Sequence, residues 1–572
     1  MTPGGARTTV VVGAGAAGAA LAARLSEDPS HRVVLLEAGP APRTADEFPA
    51  ELLDASTVQG AMPGHPANWS YLGRLTPDLP YTIARGRILG GSSSINGVYF
   101  VRARPEDFAR WADAAGPDWA YERVLPVLRD LERDLDLGEG PVRGDAGPMP
   151  VRRAAQGNPV ARAFAAAATE LGFPVEPDKN APGPAGVGPV PQNVVDGVRV
   201  NTALAYLTPA RDRPNLEVRG GCRVRRVVFE GSRAIGVEVA PGSGGGRGRG
   251  EGAGAGGAGR GTGAPAGPEV IAADEVVLCA GGIGTPHLLL VSGIGPADQL
   301  RGVGVPLVHD AAGVGRAFTD HPDLSVGWRA ARDVVDPHAP ETFTTALNFS
   351  SPGADRAGDL EIMACVTTMA HLLTGSSSTV AGGARSALRH PIATARALRG
   401  ASLRRMREQV AHGRDLVLLV GLQREEARGS ITLESADPDV QPRIDYRYLS
   451  TPHDRERLRL GIRTAVALLR SRAFAGLFER LTELDDATLD DDAALDAWML
   501  AHLGTAIHLC GSVPMGRPDD PYAVLDGFGR VRGVDGLRVA DTSMLPDAPS
   551  RGPAATAVLI GELVARFIRR GD

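Results

Sequence analysis

Several function classes are excluded by what the sequence does not contain. Its four cysteines, Cys222, Cys279, Cys365 and Cys510, lie far apart with no C-x-x-C spacing. Neither a disulfide framework nor a zinc site follows, and a reducing compartment, the cytoplasm, is the expected home. No cluster of ligating side chains marks any other metal site, and no G-x-S-x-G supplies a hydrolase nucleophile. No apolar run is long enough to cross a bilayer, and only about eight residues precede the first predicted strand, too few for a secretory signal. Lysine is scarce, and a formal charge of −6 over 572 residues gives no footprint for nucleic acid.

What remains is an ordinary globular composition, 43% apolar and 22% charged, on a chain long enough for two or more domains. Its clearest stretch is the beginning. Thr9 to Val12 runs into Gly13-Ala14-Gly15-Ala16-Ala17-Gly18 and an alanine-rich segment to Leu25, and a second apolar run, Val33 to Leu36, ends at Glu37 and Ala38. The pattern predicts strand, glycine turn, helix, strand. Gly13 permits the turn, Gly15 lets backbone approach a diphosphate, and Gly18 lets the helix pack on the strand. The helix N-terminus faces the diphosphate, and Glu37, roughly 20 residues on, is placed for a ribose hydroxyl. This is an ADP-dinucleotide site, with NAD and FAD both open at this point.

Further along, Gly86-Arg87-Ile88-Leu89-Gly90-Gly91-Ser92-Ser93-Ser94-Ile95-Asn96-Gly97 reads either as a second backbone cradle or as a serine-rich turn capping a helix at Ser92 or Ser93. Residues 105–135 are predicted helical with Trp111, Trp119, Leu125 and Leu131 as core anchors, and Pro159 to Leu171 as a second amphipathic helix. Leu216 to Val239 alternates as a hairpin-like unit. Residues 241–268, almost pure Gly, Ala and Arg, are expected to form a flexible loop between two strands. Glu275 to Leu278 reads as a buried strand with an Ala280-Gly281-Gly282 exit, and Thr285-Pro286 as the start of the next helix. From Asp323 to Asp445 strands alternate around an insert, Met369 to Gly413. Its arginines at 380–410 read as a solvated face, or as a basic helix touching the inner face of a membrane or an acidic partner.

The last strand, Leu537-Arg538-Val539-Ala540-Asp541, ends in an acid and is expected to close the sheet that the first strand opens, bringing Asp541 to the edge where ligands collect. Two-domain flavoproteins hold an elongated FAD in that way. With these segments in order, the chain resembles the glucose–methanol–choline (GMC) oxidoreductases over nearly its whole length. The resemblance rests on the glycine fingerprint with Glu37 and on Gly86 to Asn96 continuing to Phe100. It rests further on Gly281, Thr285-Pro286, Leu288-Leu289 and Ser292-Gly293-Ile294-Gly295, with Gly282 where alanine or serine is usual, and on Ile507-His508-Leu509-Cys510-Gly511-Ser512-Val513-Pro514-Met515-Gly516. Within the family it is most similar to the mycofactocin-associated members, which share this last segment and a run like Ser550-Arg551-Gly552-Pro553.

The resemblance implies an α/β fold: a Rossmann-like FAD-binding domain (1–150, 195–320 and 500–572) interleaved with an α+β substrate domain on an antiparallel sheet (151–194 and 321–499). It implies that Gly13, Gly15, Ala16, Ala17, Gly18, Glu37 and Ala38 hold the ADP moiety, with Val224 at the adenine. Arg87, Leu89, Gly90, Gly91, Ser92, Asn96 and Gly97 then lie along the diphosphate and flavin, and Ala280, Gly281, Ala540, Asp541, Gly552 and Pro553 along the flavin half. His508 matches the active-site base, which takes the hydroxyl proton of an alcohol while hydride leaves for the flavin. His502 matches no signature and reads as structural. Relatives place a second His or Asn about 44 residues beyond the base; here that position is Gly552, with Arg551 a neighbouring substitute. Members that tether FAD use a histidine where this chain has Ile95, so FAD is expected to be noncovalent. The implied activity is alcohol oxidation, with reduced mycofactocin as one substrate and a respiratory carrier as acceptor. The alternatives are a choline-dehydrogenase-like enzyme and an FAD-containing lyase.

Overall fold

In the computed structural model, residues 7–240, 269–331, 334–335, 339, 341–354, 357–375 and 415–572 are described. Residues 241–268, expected to be a loop, and the 380–410 segment, read as a solvated face or as a basic helix touching a membrane or partner, lie outside them.

The opening residues fold as their pattern predicts. Thr8–Val12 and Arg32–Leu36 are parallel strands joined by the helix Ala16–Leu25. They sit inside a five-stranded, all-parallel sheet whose order is Leu216–Arg219, Arg32–Leu36, Thr8–Val12, Glu275–Leu278, Leu537–Val539. Such strands are buried on both faces and read as continuous apolar runs. Leu216–Arg219 is an edge of this sheet, which corrects the reading of Leu216 to Val239 as one unit. The hairpin is Val224–Glu230 with Arg233–Val239, and Glu269–Ala272 pairs on its far side.

The strands at 322–330, 343–349, 360–365 and 415–422 form the middle of a seven-stranded sheet in which all pairs are antiparallel. Val187–Pro189 and Phe478–Leu481 flank them, and Gly504–Thr505 pairs beside Pro322 and Asp323. The helix Pro452–Leu469 covers one face of this sheet with Leu458, Ile462, Ala465 and Leu469. Two apolar cores result, one around each sheet. The architecture is therefore α/β, a doubly wound parallel layer joined to an antiparallel one.

Helix boundaries differ where local signals compete. Residues 105–135 split into Pro105–Ala115 and Tyr121–Leu131 at Gly116-Pro117, and Val124, Val127 and Leu128, rather than the half-buried Leu125, join Trp111 and Trp119 in the core. Thr285-Pro286 does not begin its helix, which runs Gly281–Val291 with Pro286 inside. Ser92 and Ser93 cap nothing: Gly91–Ser94 is a single tight turn with no side-chain cap.

Candidate active site

The carboxyl ends of the parallel strands open into a cavity of about 1850 Å³ that continues across to the antiparallel sheet. A small-ligand site rarely exceeds about 1000 Å³, so this space suits an elongated dinucleotide together with a substrate.

At the parallel-sheet end Gly13, Gly15, Ala16, Ala17, Glu37 and Ala38 border it. The first helix has no side-chain cap and no acidic residue in its first turn, which leaves its N-terminal N–H groups for an anion. Ala14 N–H donates to Glu37 Oε2 at 3.1 Å and Gly39 N–H to Oε1 at 2.8 Å. Burial nevertheless pushes the Glu37 carboxyl up to about 7. Gly91, at φ +52°, faces Gly15 so closely that a Cβ on it would stand 2.7 Å from Gly15 Cα. The two glycine turns thus form a slot that a side chain at residue 91 would close, and a dinucleotide diphosphate fits it.

Arg87, Ser92, Asn96, Gly97, Val224, Ala280, Gly281, Asp541, Gly552 and Pro553 also border the cavity, whereas Gly18, Leu89, Gly90 and Ala540 stand behind its wall. Gly18 is pressed against Gly13, where a Cβ would meet the carbonyl oxygen at 2.0 Å. The serines of the tight turn spend their hydroxyls locally: Ser93 Oγ donates to Gly90 O and Ser94 Oγ to Leu89 O. Asp541 is likewise committed to the protein, accepting from Gly281 N–H at 2.8 Å, Thr285 Oγ1 at 2.6 Å and Ser543 N–H at 2.8 Å. Trp69 was not anticipated. Its ring carries the guanidinium groups of Arg87 and Arg223 at 5.0 and 5.5 Å.

His508 lies where the two sheets meet. The residue before it, Ile507, has φ +62°, an uncommon conformation for a β-branched residue. It is held by Arg85 Nη1 donating to its carbonyl at 2.6 Å and by its own N–H donating to Thr505 Oγ1 at 3.1 Å. Asp320 Oδ1 accepts from His508 N–H at 2.6 Å and from His321 N–H at 2.7 Å, which fixes two backbones with one carboxylate. The rings then meet at Nδ1, 2.9 Å apart, and His321 Nε2 lies 3.0 Å from Pro549 O.

These contacts determine where the protons are. A carbonyl oxygen only accepts, so His321 Nε2 must carry the hydrogen. Burial pushes His321 down to about 4, so its ring is neutral and its Nδ1 is a lone pair. His508 Nδ1–H must therefore donate to it. Burial, then His321 and Arg85, hold His508 well below the ordinary histidine range, so its Nε2 is an unprotonated acceptor. That edge of the ring faces Gly552, where a Cβ would be 3.6 Å from Nε2. Arg551 does not replace the missing side chain. Its buried guanidinium is bonded to Glu176 and to Lys179 O. His502, read as structural, stacks on Trp498 and donates from Nδ1 to its carbonyl oxygen at 2.8 Å, and it also borders the cavity. His321 escaped the sequence reading because nothing in the spacing of residues 187 positions apart joins it to His508.

Among the described residues no group of three His, Cys, Asp or Glu side chains is placed to hold a metal, and no helix is long and apolar enough to cross a membrane.

Two family models, both described as GMC oxidoreductase, match residues 7–323 and 425–561. An uncharacterized GMC-type oxidoreductase of Rhodococcus erythropolis is 39% identical over 98% of this chain and 97% of its own. An oxygen-dependent choline dehydrogenase of Sinorhizobium medicae is 33% identical over 98% and 95%. Among solved structures, pyridoxine 4-oxidase from Mesorbium loti superposes with a TM-score of 0.80 at 30% identity over 99% of both chains. A formate oxidase of Aspergillus oryzae RIB40 gives 0.82 at 21% identity over 99% and 98%, a likeness of fold. The chain belongs to the GMC oxidoreductase family and is an FAD-dependent oxidoreductase of the class that acts on CH–OH donors.

Proposed function

We propose that this chain oxidises an alcohol to its carbonyl, with His508 as the base and FAD held without a covalent bond. The observation that carries the reading is the bare Nε2 of His508, presented to the same cavity as the two glycine turns. An alcohol hydroxyl donating to Nε2 loses its proton there, and neutral His508 needs no prior deprotonation to accept it. Bound FAD supplies the two-electron acceptor for the hydride that leaves the carbinol carbon. His321 and Asp320 hold the base in position, and Gly552 leaves its open edge to the substrate. Ile95 offers no nucleophile to the flavin, so acid precipitation should release all of the yellow colour into the supernatant.

The choline dehydrogenase relatives favour a small primary alcohol. The segment from His508 to Gly516 and the run Ser550 to Pro553 favour reduced mycofactocin with a respiratory acceptor, although Ser550 and Arg551 are bonded internally to Asp107 and Glu176. Anaerobic mixing of the FAD-loaded protein with choline, simple alcohols and reduced mycofactocin separates the two by which one bleaches the flavin. Product formed while the flavin stays oxidised would establish a lyase instead. His508→Ala is expected to retain flavin and slow its reduction on the order of a hundredfold or more; an unchanged rate would remove His508 from the reaction.

A further inference from the structure

Six arginines are buried among the described residues, and five of them sit against a carboxylate: Arg102, Arg104, Arg457, Arg538 and Arg551. Arg199 is the sixth and has none. Its guanidinium, 1% exposed, donates to three backbone carbonyls, Leu52 O, Thr57 O at 2.6 Å and Asn96 O at 2.8 Å, and its Nε has no partner. The one carboxylate that acts on it, Asp54, is exposed and accepts from Ser56 instead. Burial pushes Arg199 down only to about 10, so the cation persists at neutral pH. A charge withdrawn from water without a counter-charge is costly to keep.

Asn96 is where this charge reaches the cavity. The chain from Gly91 to Val101 starts at the glycine slot and ends beside the base. A Cβ on Gly91 would stand 2.7 Å from Gly15 Cα, and one on Gly552 would stand 3.8 Å from Val101 Cγ1 and 3.6 Å from His508 Nε2. Asn96 and Gly97 lie between, on the cavity wall. In the trans peptide that joins them, the Gly97 N–H points opposite to the carbonyl that Arg199 holds. That N–H has no acceptor among the described residues. It is therefore an unspent donor with a buried cation behind it.

We propose that Arg199 is a positioning residue of the redox step: acting through the Asn96–Gly97 peptide, its charge turns the Gly97 N–H into a polarised donor that stabilises the negative charge bound FAD carries after reduction. The proposal rests on the alcohol-oxidation reading for its charge balance. The carbinol carbon gives up a hydride, one hydrogen with two electrons, while His508 keeps the hydroxyl proton. The transfer leaves one negative charge on bound FAD, in a site withdrawn from water. A donor fixed in advance stabilises that charge without reorganising, and a hydrogen bond polarised by a cation is stronger than a neutral one. His508 gains its positive charge only during the step, whereas an arginine is charged throughout.

The test measures the midpoint potential of bound FAD by anaerobic titration against a reference dye, together with the dissociation constant of sulfite, an anion that adds to flavin and brings negative charge with it. Arg199→Gln should lower the potential by about 30 mV, a shift of about tenfold in a two-electron equilibrium, and should weaken sulfite binding by about tenfold. Arg199→Lys keeps the charge while losing part of the carbonyl contacts, and both quantities should stay within about threefold of the parent. Unchanged values in Arg199→Gln, or equal losses in the two variants, would show a clamp on three carbonyls and nothing more, and overturn the assignment. If neither variant retains FAD, the parent decides: its FAD is expected to be easier to reduce than free FAD and to bind sulfite, and failure of either overturns the assignment. Neither measurement uses an alcohol. A potential that follows the charge, in a protein whose flavin no alcohol bleaches, would leave Arg199 in its role and remove the alcohol-oxidation reading.

Discussion

A single carbonyl oxygen, Pro549 O, sets the protonation of the reaction centre at the residue scale. It forces the hydrogen onto His321 Nε2, and each later hydrogen bond in the chain has one remaining direction. Replacing His321 with Leu breaks this order: His508 Nδ1–H loses its acceptor and the ring is free to turn over its tautomer. Flavin reduction should slow by about a hundredfold or more, while the protein retains its FAD, as stopped-flow absorbance will measure. The native enzyme's pH profile follows from the same geometry. Burial makes His508 harder to protonate, so the neutral base persists below the ordinary range and kcat/KM should hold level from about pH 8 through 6.5, falling only on the acid side. A loss already complete at pH 6.5 would contradict it. Glu37 has the opposite sign. Its folded value, about 7, is raised above the usual 4.5, so in the ligand-free protein its contribution to stability is present below the unfolded value and lost as pH rises through 7. Glu37→Gln should therefore stabilise the apoprotein by about 3 kcal/mol at pH 8 and not at pH 4, while binding FAD about tenfold or more weakly, by thermal melts and flavin titration. His508, Glu37 and the bare position at Gly552 were legible because each stands in a local motif. His321 and Trp69 were not, because their roles arise only when distant segments meet.

The helix Gly281–Val291 carries the lesson of the next scale. A cap at Thr285 and proline at the first position were good local reasons to begin it there, and both residues serve elsewhere. Thr285 Oγ1 accepts from Ala280 N–H and donates to Asp541, and Pro286 sits inside the helix. Proline cannot donate to the carbonyl four residues back; here that is Gly282 O, and Ser512 Oγ donates to it at 2.6 Å instead. Gly282, unusual against the family pattern, is required by the same neighbour segment, since a Cβ there would meet Leu509 O at 2.6 Å. The segment that presents His508 is thus pinned to this helix, and Asp541 pins the helix start to the closing strand. Asp541→Ala leaves two N–H groups and a hydroxyl without acceptors in a buried site, at about 1–3 kcal/mol for each. It should abolish retention of FAD on purification, whereas Asp541→Asn should keep part of it; equal retention by the two variants would show that the carboxylate does not organise this edge.

On the scale of the whole molecule, the sequence disclosed that its two ends share a sheet, because an acid closing the last apolar strand matches the opening glycine turn. It did not disclose how tightly the flanking helices are joined. Arg24 of the first helix pairs with Glu562 of the last at 2.9 Å, and Tyr206 Oη donates to the same carboxylate at 2.8 Å. At the residue before Glu562 the helices touch through backbone. A Cβ on Gly561 would stand 2.2 Å from Ala17 O and 3.1 Å from Ala17 Cα, neither of which can yield without moving the helix. Ala17 borders the cofactor end of the cavity, so strain at residue 561 is delivered to the glycine slot. Gly561→Ala should cost about 1–3 kcal/mol through overpacking, visible as a lower melting temperature, and should weaken FAD binding although residue 561 itself does not border the cavity. Gly302→Ala provides the contrast. It is the last residue of the helix Ala297–Gly302, nothing lies within 4 Å of the added carbon, and alanine is the better helix former, so its melting temperature and FAD affinity should equal or exceed those of the parent. If both variants bind FAD as the parent does, the two ends are joined for stability alone and the last helix has no part in shaping the dinucleotide slot.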